Sequence, residues 1–213
     1  MSILYWICWL IVFIPIRILY PTKIINKEYF RKKGKAIFAC NHTSNLDIII
    51  LKTRQYKKSY VLAKHTLFKN KFLGACFKSF GAIPVNREEV SVSSIKQTLK
   101  VLKDDKQLII FPEGTRKSSL EESESLKNGM AMFALKAQAE IVPMVFLRKP
   151  KLFRMNTIIV GEPICMEEYA GVKASKEVME EISQKVLTEM KNLRDSYIAT
   201  LSEKKQKKLL KQN

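Results

Sequence analysis

Residues 36–47 read Ala-Ile-Phe-Ala-Cys-Asn-His-Thr-Ser-Asn-Leu-Asp. The first five are apolar without alternation, which marks a strand buried on both faces of a sheet rather than one with a wet side. The character then changes at once: Asn41–Asn45 is polar, and a helix start with Ser44 as its candidate N-cap follows, so the stretch reads strand, loop, helix. The same order recurs along the chain. "SYVLA" (59–63), "AIPV" (82–85), "QLIIF" (107–111), "IVPMVFL" (141–147) and "NTIIVG" (156–161) also read as strands. Between or after them, Val92, Ile95, Leu99 and Leu102 follow a helical spacing, as do Leu126, Met130, Phe133 and Ala137. Val178, Ile182, Val186, Met190, Leu193 and Tyr197 extend it further. Alternating strands and helices predict an α/β fold, a largely parallel sheet flanked by helices, with chemistry in the loops beyond the strands' C-terminal ends.

The chain has 213 residues, enough for one domain with a real core, and a net charge of +18. Such a field attracts polyanions, and nucleic acid or an anionic bilayer would satisfy it. The N-terminus favours the bilayer. Ile3–Ile16, "ILYWICWLIVFIPI", carries no charge and holds Tyr5, Trp6 and Trp9, aromatic residues suited to a membrane interface. As a helix, this stretch spans about 21 Å at 1.5 Å per residue, short of a hydrocarbon core of roughly 30 Å. Pro15 is expected to bend it. The reading is an N-terminal membrane-associated hydrophobic helix within residues 1–22 that dips into one leaflet or spans it marginally; a buried core helix is the alternative. No basic residue precedes the run and no small-residue cleavage site follows, so a cleaved signal peptide fits poorly. Arg17, Lys23, Lys27, Arg31, Lys32, Lys33 and Lys35 follow it, which places the remainder on the cytoplasmic face of the cell membrane. Residues 23–200 form the α/β domain in this reading, and 201–213 a basic tail. Cys8, Cys40, Cys76 and Cys165 are scattered and read as free thiols of a reducing compartment, with no metal site.

His42 directly follows a strand, where such a fold puts its chemistry. In one straight helix, residues five apart lie about 140° out of register, so His42 and Asp47 could not share a face. They meet if His42 is in the loop, Ser44 is the N-cap and Asp47 is at N3. Ser44-x-x-Asp47 is equally a capping box with no chemistry attached. An imidazole paired with a carboxylate can take a proton from a hydroxyl while the carboxylate sets its tautomer. There is no Gly-x-Ser-x-Gly, so a hydrolase-type serine has no support, and direct attack by a substrate hydroxyl is simpler. A second strand ends in "FPEGTR" (111–116), a turn that brings Glu113, Gly114, Thr115 and Arg116 together. Its guanidinium suits a phosphate. Lys64 and Arg87 end two further strands. Together these residues describe a site for an anionic substrate bearing a hydroxyl.

"NHTSNLD" resembles the Asn-His-x-Ser-x-x-Asp block of the 1-acylglycerol-3-phosphate acyltransferase family, the His-x4-Asp glycerolipid acyltransferases. "GAIPVNR", "FPEGTR" and "IVPM" resemble its later blocks, in order, and "AKHTLFKNKFLG" and "GEPI" resemble further segments; the likeness covers about residues 35–165. The resemblance implies transfer of a fatty-acyl group from an acyl-carrier-protein or coenzyme A thioester to the sn-2 hydroxyl of lysophosphatidic acid. It implies His42 as base and Asp47 as its orienting partner. The acceptor phosphate would fall to Arg116 with Lys64 and Arg87, and loop organisation to Glu113, Gly114 and Thr115. No cofactor or metal is implied beyond the donor thioester. Glycerol 3-phosphate or another lysolipid is an alternative acceptor. A thioesterase, or a non-enzymatic basic membrane-binding protein, is an alternative of a different class. No nucleic-acid partner is expected, because no nucleic-acid module is recognisable.

Overall fold

The computed structural model describes residues 9–55, 59–86, 91–115, 120 and 125–210. Among the described residues, seven strands form one sheet: β1 (Thr22–Ile25), β2 (Ala36–Cys40), β3 (Ser59–Lys64), β4 (Ala82–Val85), β5 (Gln107–Ile110), β6 (Glu140–Phe146) and β7 (Asn156–Val160). Their order is β1-β7-β6-β2-β5-β3-β4, and every neighbouring pair is parallel except β6 with β7. The fold is therefore α/β with a mostly parallel sheet. Two elements depart from the sequence reading. The segment Thr22–Ile25, half polar and so without an apolar run to mark it, becomes β1 by pairing with β7. β7 runs antiparallel to β6 because a short connection, residues 147–155, returns the chain to the same sheet edge, where a parallel crossover would need a dozen or more residues.

The helices are α1 (Ile14–Leu19), α2 (Lys27–Phe30), α3 (Leu46–Arg54), α4 (Lys71–Ser79), α5 (Val92–Lys103), α6 (Gly129–Ala137), α7 (Lys176–Ala199) and α8 (Glu203–Leu210). They cover both faces of the sheet. On one face, Ile37 and Ala39 of β2 pack with Leu102 of α5, Phe133 of α6 and Ile182, Val186 and Met190 of α7. On the other, Ala36, Phe38 and Cys40 pack with Phe30 of α2 and Ile50 and Leu51 of α3, with Ile16 and Tyr20 at its margin. Every residue of β2 is wholly buried, the two-sided burial that its unbroken apolar run requires. In α5 the buried face differs from the simple apolar spacing. Val92 is 66% exposed, while Ser94 and Thr98 are buried; Ser94 Oγ donates to Pro84 O and Thr98 Oγ1 to Ser94 O, so each hydroxyl is satisfied.

At the N-terminal end, a π-helical turn, Trp9–Phe13, runs into α1. The winding changes one residue before Pro15, whose missing N–H cannot continue the ladder. Leu10, Ile11, Val12, Ile14 and Ile18 are exposed, while Phe13 is buried with its ring 4.9 Å from that of Phe80. No helix among the described residues is long and apolar enough to cross a membrane. The last carbonyls of α1 are taken up by other elements. Arg54, at the end of α3, donates to Arg17 O and Tyr20 O, and the Phe153 N–H donates to Leu19 O. At the other end, Leu209 of α8 is buried against Leu147 and Ile159.

The turn into β4 depends on Gly81, whose φ is +81° and whose added Cβ would fall 2.6 Å from Ser59 O. Both the left-handed backbone and the close approach to β3 require the missing side chain. Gly81→Ala is expected to cost about 3 kcal/mol, from the left-handed penalty plus overpacking, read as a lower urea midpoint at unchanged slope.

Candidate active site

Strand register places the site. β2, β5, β3 and β4 are parallel, so their C-terminal ends share one edge, where they lead into Asn41–His42, Phe111–Pro112, His65 and Asn86 respectively. His42 leaves the central strand β2 with its Nδ1 3.0 Å from Asp47 Oδ2. Asp47 is fully buried, and the same oxygen accepts the N–H groups of Thr43 and Ser44, each at 2.7 Å. Thr43 Oγ1 donates to the other oxygen at 3.2 Å. Hydrogen bonds from these donors offset the cost of burying the carboxylate. An ionised carboxylate only accepts, so Nδ1 of His42 carries the hydrogen and Nε2 holds its lone pair. Nε2 makes no hydrogen bond among the described residues.

The local route to this geometry differs from the expected capping box. The N-cap of α3 is Asn45, without a side-chain cap bond, and Asp47 stands at the second helical position. Ser44 Oγ accepts from the Leu46 N–H, while Asp47 folds back onto the loop amides. The carboxylate thus ties the loop to the helix start, and the box is closed from the acidic side alone.

The neighbouring loop closes over the imidazole. The Phe111 ring stacks on His42, centroids 4.3 Å apart and planes 29° from parallel, which fixes the ring from its other side. Glu113 is buried, and Gly114 turns the chain at φ +73°. A residue the sequence reading missed lies here. The Lys127 N–H donates to Pro112 O at 2.8 Å, and its side chain lies across Gly114, where a Cβ would fall 2.5 Å from Lys127 Cε. A lysine just ahead of α6 carries no local signal of this approach; it follows from how α6 docks. Lys64 ends β3 at the same edge and is exposed to solvent. Arg87 and Arg116 lie outside the described residues.

Behind the histidine, Asn41 Nδ2 donates to Phe146 O at 3.1 Å and the Phe146 N–H donates to Asn41 Oδ1 at 2.7 Å, which locks the end of β2 to the end of β6. Cys40 is wholly buried, and its thiol is pushed well up, first by burial and then by the charge of Asp47. It is therefore held as a thiol and is no candidate nucleophile. Among the described residues, no three His, Cys, Asp or Glu side chains gather as a metal site.

A family model described as Acyltransferase matches residues 21–147, from β1 to just past β6. The chain belongs to the acyltransferase family. It is 32% identical over 182 residues to the 1-acyl-sn-glycerol-3-phosphate acyltransferase of Bacillus subtilis, covering 81% of this chain and 89% of that one. The enzyme of the same name from Helicobacter pylori is 30% identical over 162 residues, 73% of this chain and 68% of that one. The crystal structure of the 1-acyl-sn-glycerophosphate (LPA) acyltransferase from Thermotoga maritima shares the fold, with a TM-score of 0.59 at 20% identity, over 80% of this chain and 72% of that one. The acyltransferase match takes in His42, Asp47, Lys64, the 111–115 loop and Lys127; β7, α7 and α8 lie beyond it.

Removing the carboxylate leaves two loop amides and the imidazole without their acceptor. Asp47→Ala is expected to lose about 2–3 kcal/mol in urea denaturation, from the unsatisfied buried donors.

Proposed function

We propose that this protein is a 1-acylglycerol-3-phosphate O-acyltransferase, moving a fatty-acyl group from a thioester to the sn-2 hydroxyl of lysophosphatidic acid to give phosphatidic acid. The observation that carries this reading is the His42–Asp47 pair at the catalytic edge of a chain whose relatives bear that enzyme name. His42 Nε2 accepts the proton of the sn-2 hydroxyl as its oxygen attacks the thioester carbonyl. The tetrahedral intermediate then expels the thiolate, which takes the proton back from Nε2. Asp47 keeps Nδ1 protonated and steadies the imidazolium. Phe111 holds the ring plane, and the reaction needs no covalent acyl-enzyme.

The acceptor phosphate is bound by Arg116 with Lys64 and Arg87, and Lys127 over Gly114 adds a cation at the same loop. Glu113, Gly114 and Thr115 shape the turn. Backbone N–H groups at the start of α3 are candidates for the oxyanion. The donor is an acyl-carrier-protein or coenzyme A thioester; the net charge of +18 favours either anionic carrier. The N-terminal segment associates with the cytoplasmic face of the cell membrane. The exposed Leu10, Ile11, Val12, Ile14 and Ile18 support this, and they place the enzyme where a single-chain lipid acceptor resides.

The test is a mixed-micelle assay of purified protein with labelled acyl thioester, with and without lysophosphatidic acid. Phosphatidic acid should form only with the acceptor; free fatty acid without acceptor would instead indicate a thioesterase, and transfer to glycerol 3-phosphate alone a different acceptor. His42→Ala is expected to lower kcat by about 10³-fold in a folded protein, within the range of general-base catalysis. Arg116→Ala should raise the KM for lysophosphatidic acid by about 10- to 100-fold, the loss of a charge-assisted contact, with a smaller change in kcat.

A further inference from the structure

The connection between β6 and β7, Leu147–Met155, has a composition unlike the rest of the surface. It contains Arg148, Lys149, Lys151 and Arg154, and no acidic residue occurs from Ile141 to Gly161. Among these cations, Leu152, Phe153 and Met155 are exposed, Phe153 by 71%. Phe153 also has φ +52°, a left-handed conformation that an aromatic residue rarely adopts. A flexible loop would relax that strain and fold the ring away from water. This loop cannot relax, because it is tied from several directions.

Asn156, almost wholly buried, is the tie. Its Oδ1 accepts the Lys151 N–H at 2.9 Å, and its Nδ2 lies within donor distance of Arg154 O, Pro21 O and Lys151 O at 2.9, 3.2 and 3.3 Å. Arg148 closes the loop by donating to Met155 O at 3.4 Å. The strained Phe153 N–H donates to Leu19 O at 2.8 Å, which fastens the loop to the end of α1. The loop is also next to the site. It begins directly after Phe146, whose backbone is doubly bonded to the side chain of Asn41, the residue before His42. Leu67, in the turn after β3, is exposed at the same sheet edge.

We propose that residues 148–155 are a second lipid-contacting element, a rigid wedge whose Leu152, Phe153 and Met155 enter an anionic bilayer while Arg148, Lys149, Lys151 and Arg154 meet its headgroups. The inference rests on the reading of the preceding section that the acceptor lies in a membrane, and deepens it by naming the part of the catalytic edge that faces that membrane. Three features select lipid as the occupant. The charge is of one sign, the apolar side chains are held out at a cost, and the loop is pinned to α1, whose exposed Ile14 and Ile18 continue the apolar surface. Two contacts, the N-terminal segment and the loop, would set the tilt of the sheet edge on the bilayer and point His42 toward an acceptor hydroxyl at headgroup depth.

The test is co-sedimentation of the full chain with phosphatidylcholine vesicles, with and without phosphatidylglycerol. Phe153→Asn should lower partition about tenfold, the loss of one buried aromatic side chain. Its melting temperature should hold, since Asn tolerates the left-handed backbone. Neutralising Lys149, Lys151 and Arg154 together to Gln should remove most of the preference for phosphatidylglycerol, roughly fivefold per charge. Turnover of Phe153→Asn on a monodisperse short-chain lysophosphatidic acid should match wild type. In a separate Phe153→Trp variant, brominated lipid should quench fluorescence beyond the wild-type level. Unchanged partition in the variants, or no added quenching, overturns the inference. Unchanged vesicle partition with weakened binding of acyl-carrier protein would overturn it too, and make the loop a dock for an acidic protein. If wild type fails to acylate lysophosphatidic acid yet Phe153→Asn still leaves vesicles, the acceptor reading falls and the docking inference stands.

Discussion

A single buried carboxylate carries the organisation of the site. Asp47 is removed from water and takes hydrogen bonds from the Thr43 and Ser44 amides, the Thr43 hydroxyl and the His42 ring. Burying an ion is costly, and here the cost is offset by donors that the loop has no other way to satisfy. The same bonds that make the charge tolerable set the loop conformation, the start of α3 and the tautomer of His42. The proposed chemistry and the stability of the loop thus share one set of contacts.

The rest of the site is positioned by strands rather than by local turns. β2 lies at the centre of the sheet between β5 and β6. His42 therefore emerges beside the loop after β5, where Phe111 stacks on it, and beside the end of β6, where Asn41 and Phe146 are joined. Elements distant in sequence meet there because parallel pairing aligns their C-terminal ends. The wholly buried Cys40 belongs to this scaffold: held as a thiol, it packs and does not compete as a nucleophile.

At the same edge, exposed apolar side chains gather near α1 and the loop after β6, and the loop adds basic ones. A surface that exposes Phe153 in a left-handed conformation, beside cations of one sign, differs from a solvated loop, which would be polar and relaxed. The exposed apolar side chains and the His42–Asp47 pair lie at one edge of the sheet, the arrangement that the proposed lipid-facing role requires.

Much of this was legible in the chain alone. Unbroken apolar runs mark β2 and β5 because burial on both faces leaves no place for a polar residue, and the spacing of Ile182, Val186 and Met190 marks the buried stripe of α7. The His42–Asp47 approach was legible too, since five residues across a loop and a helix start bring the side chains together at short range. Other features were decided only by tertiary structure. β1 is a strand because β7 is there to pair with it, and β7 is antiparallel because its connection is short. Ser94 and Thr98 replace Val92 on the buried face of α5 because Pro84 O and the helix backbone receive their hydroxyls. Lys127 reaches Gly114 because α6 docks beside the 111–115 loop. A sequence records what each position can tolerate in water or in a core; which distant segment meets it is set by non-local packing, and the partners of this site were set there.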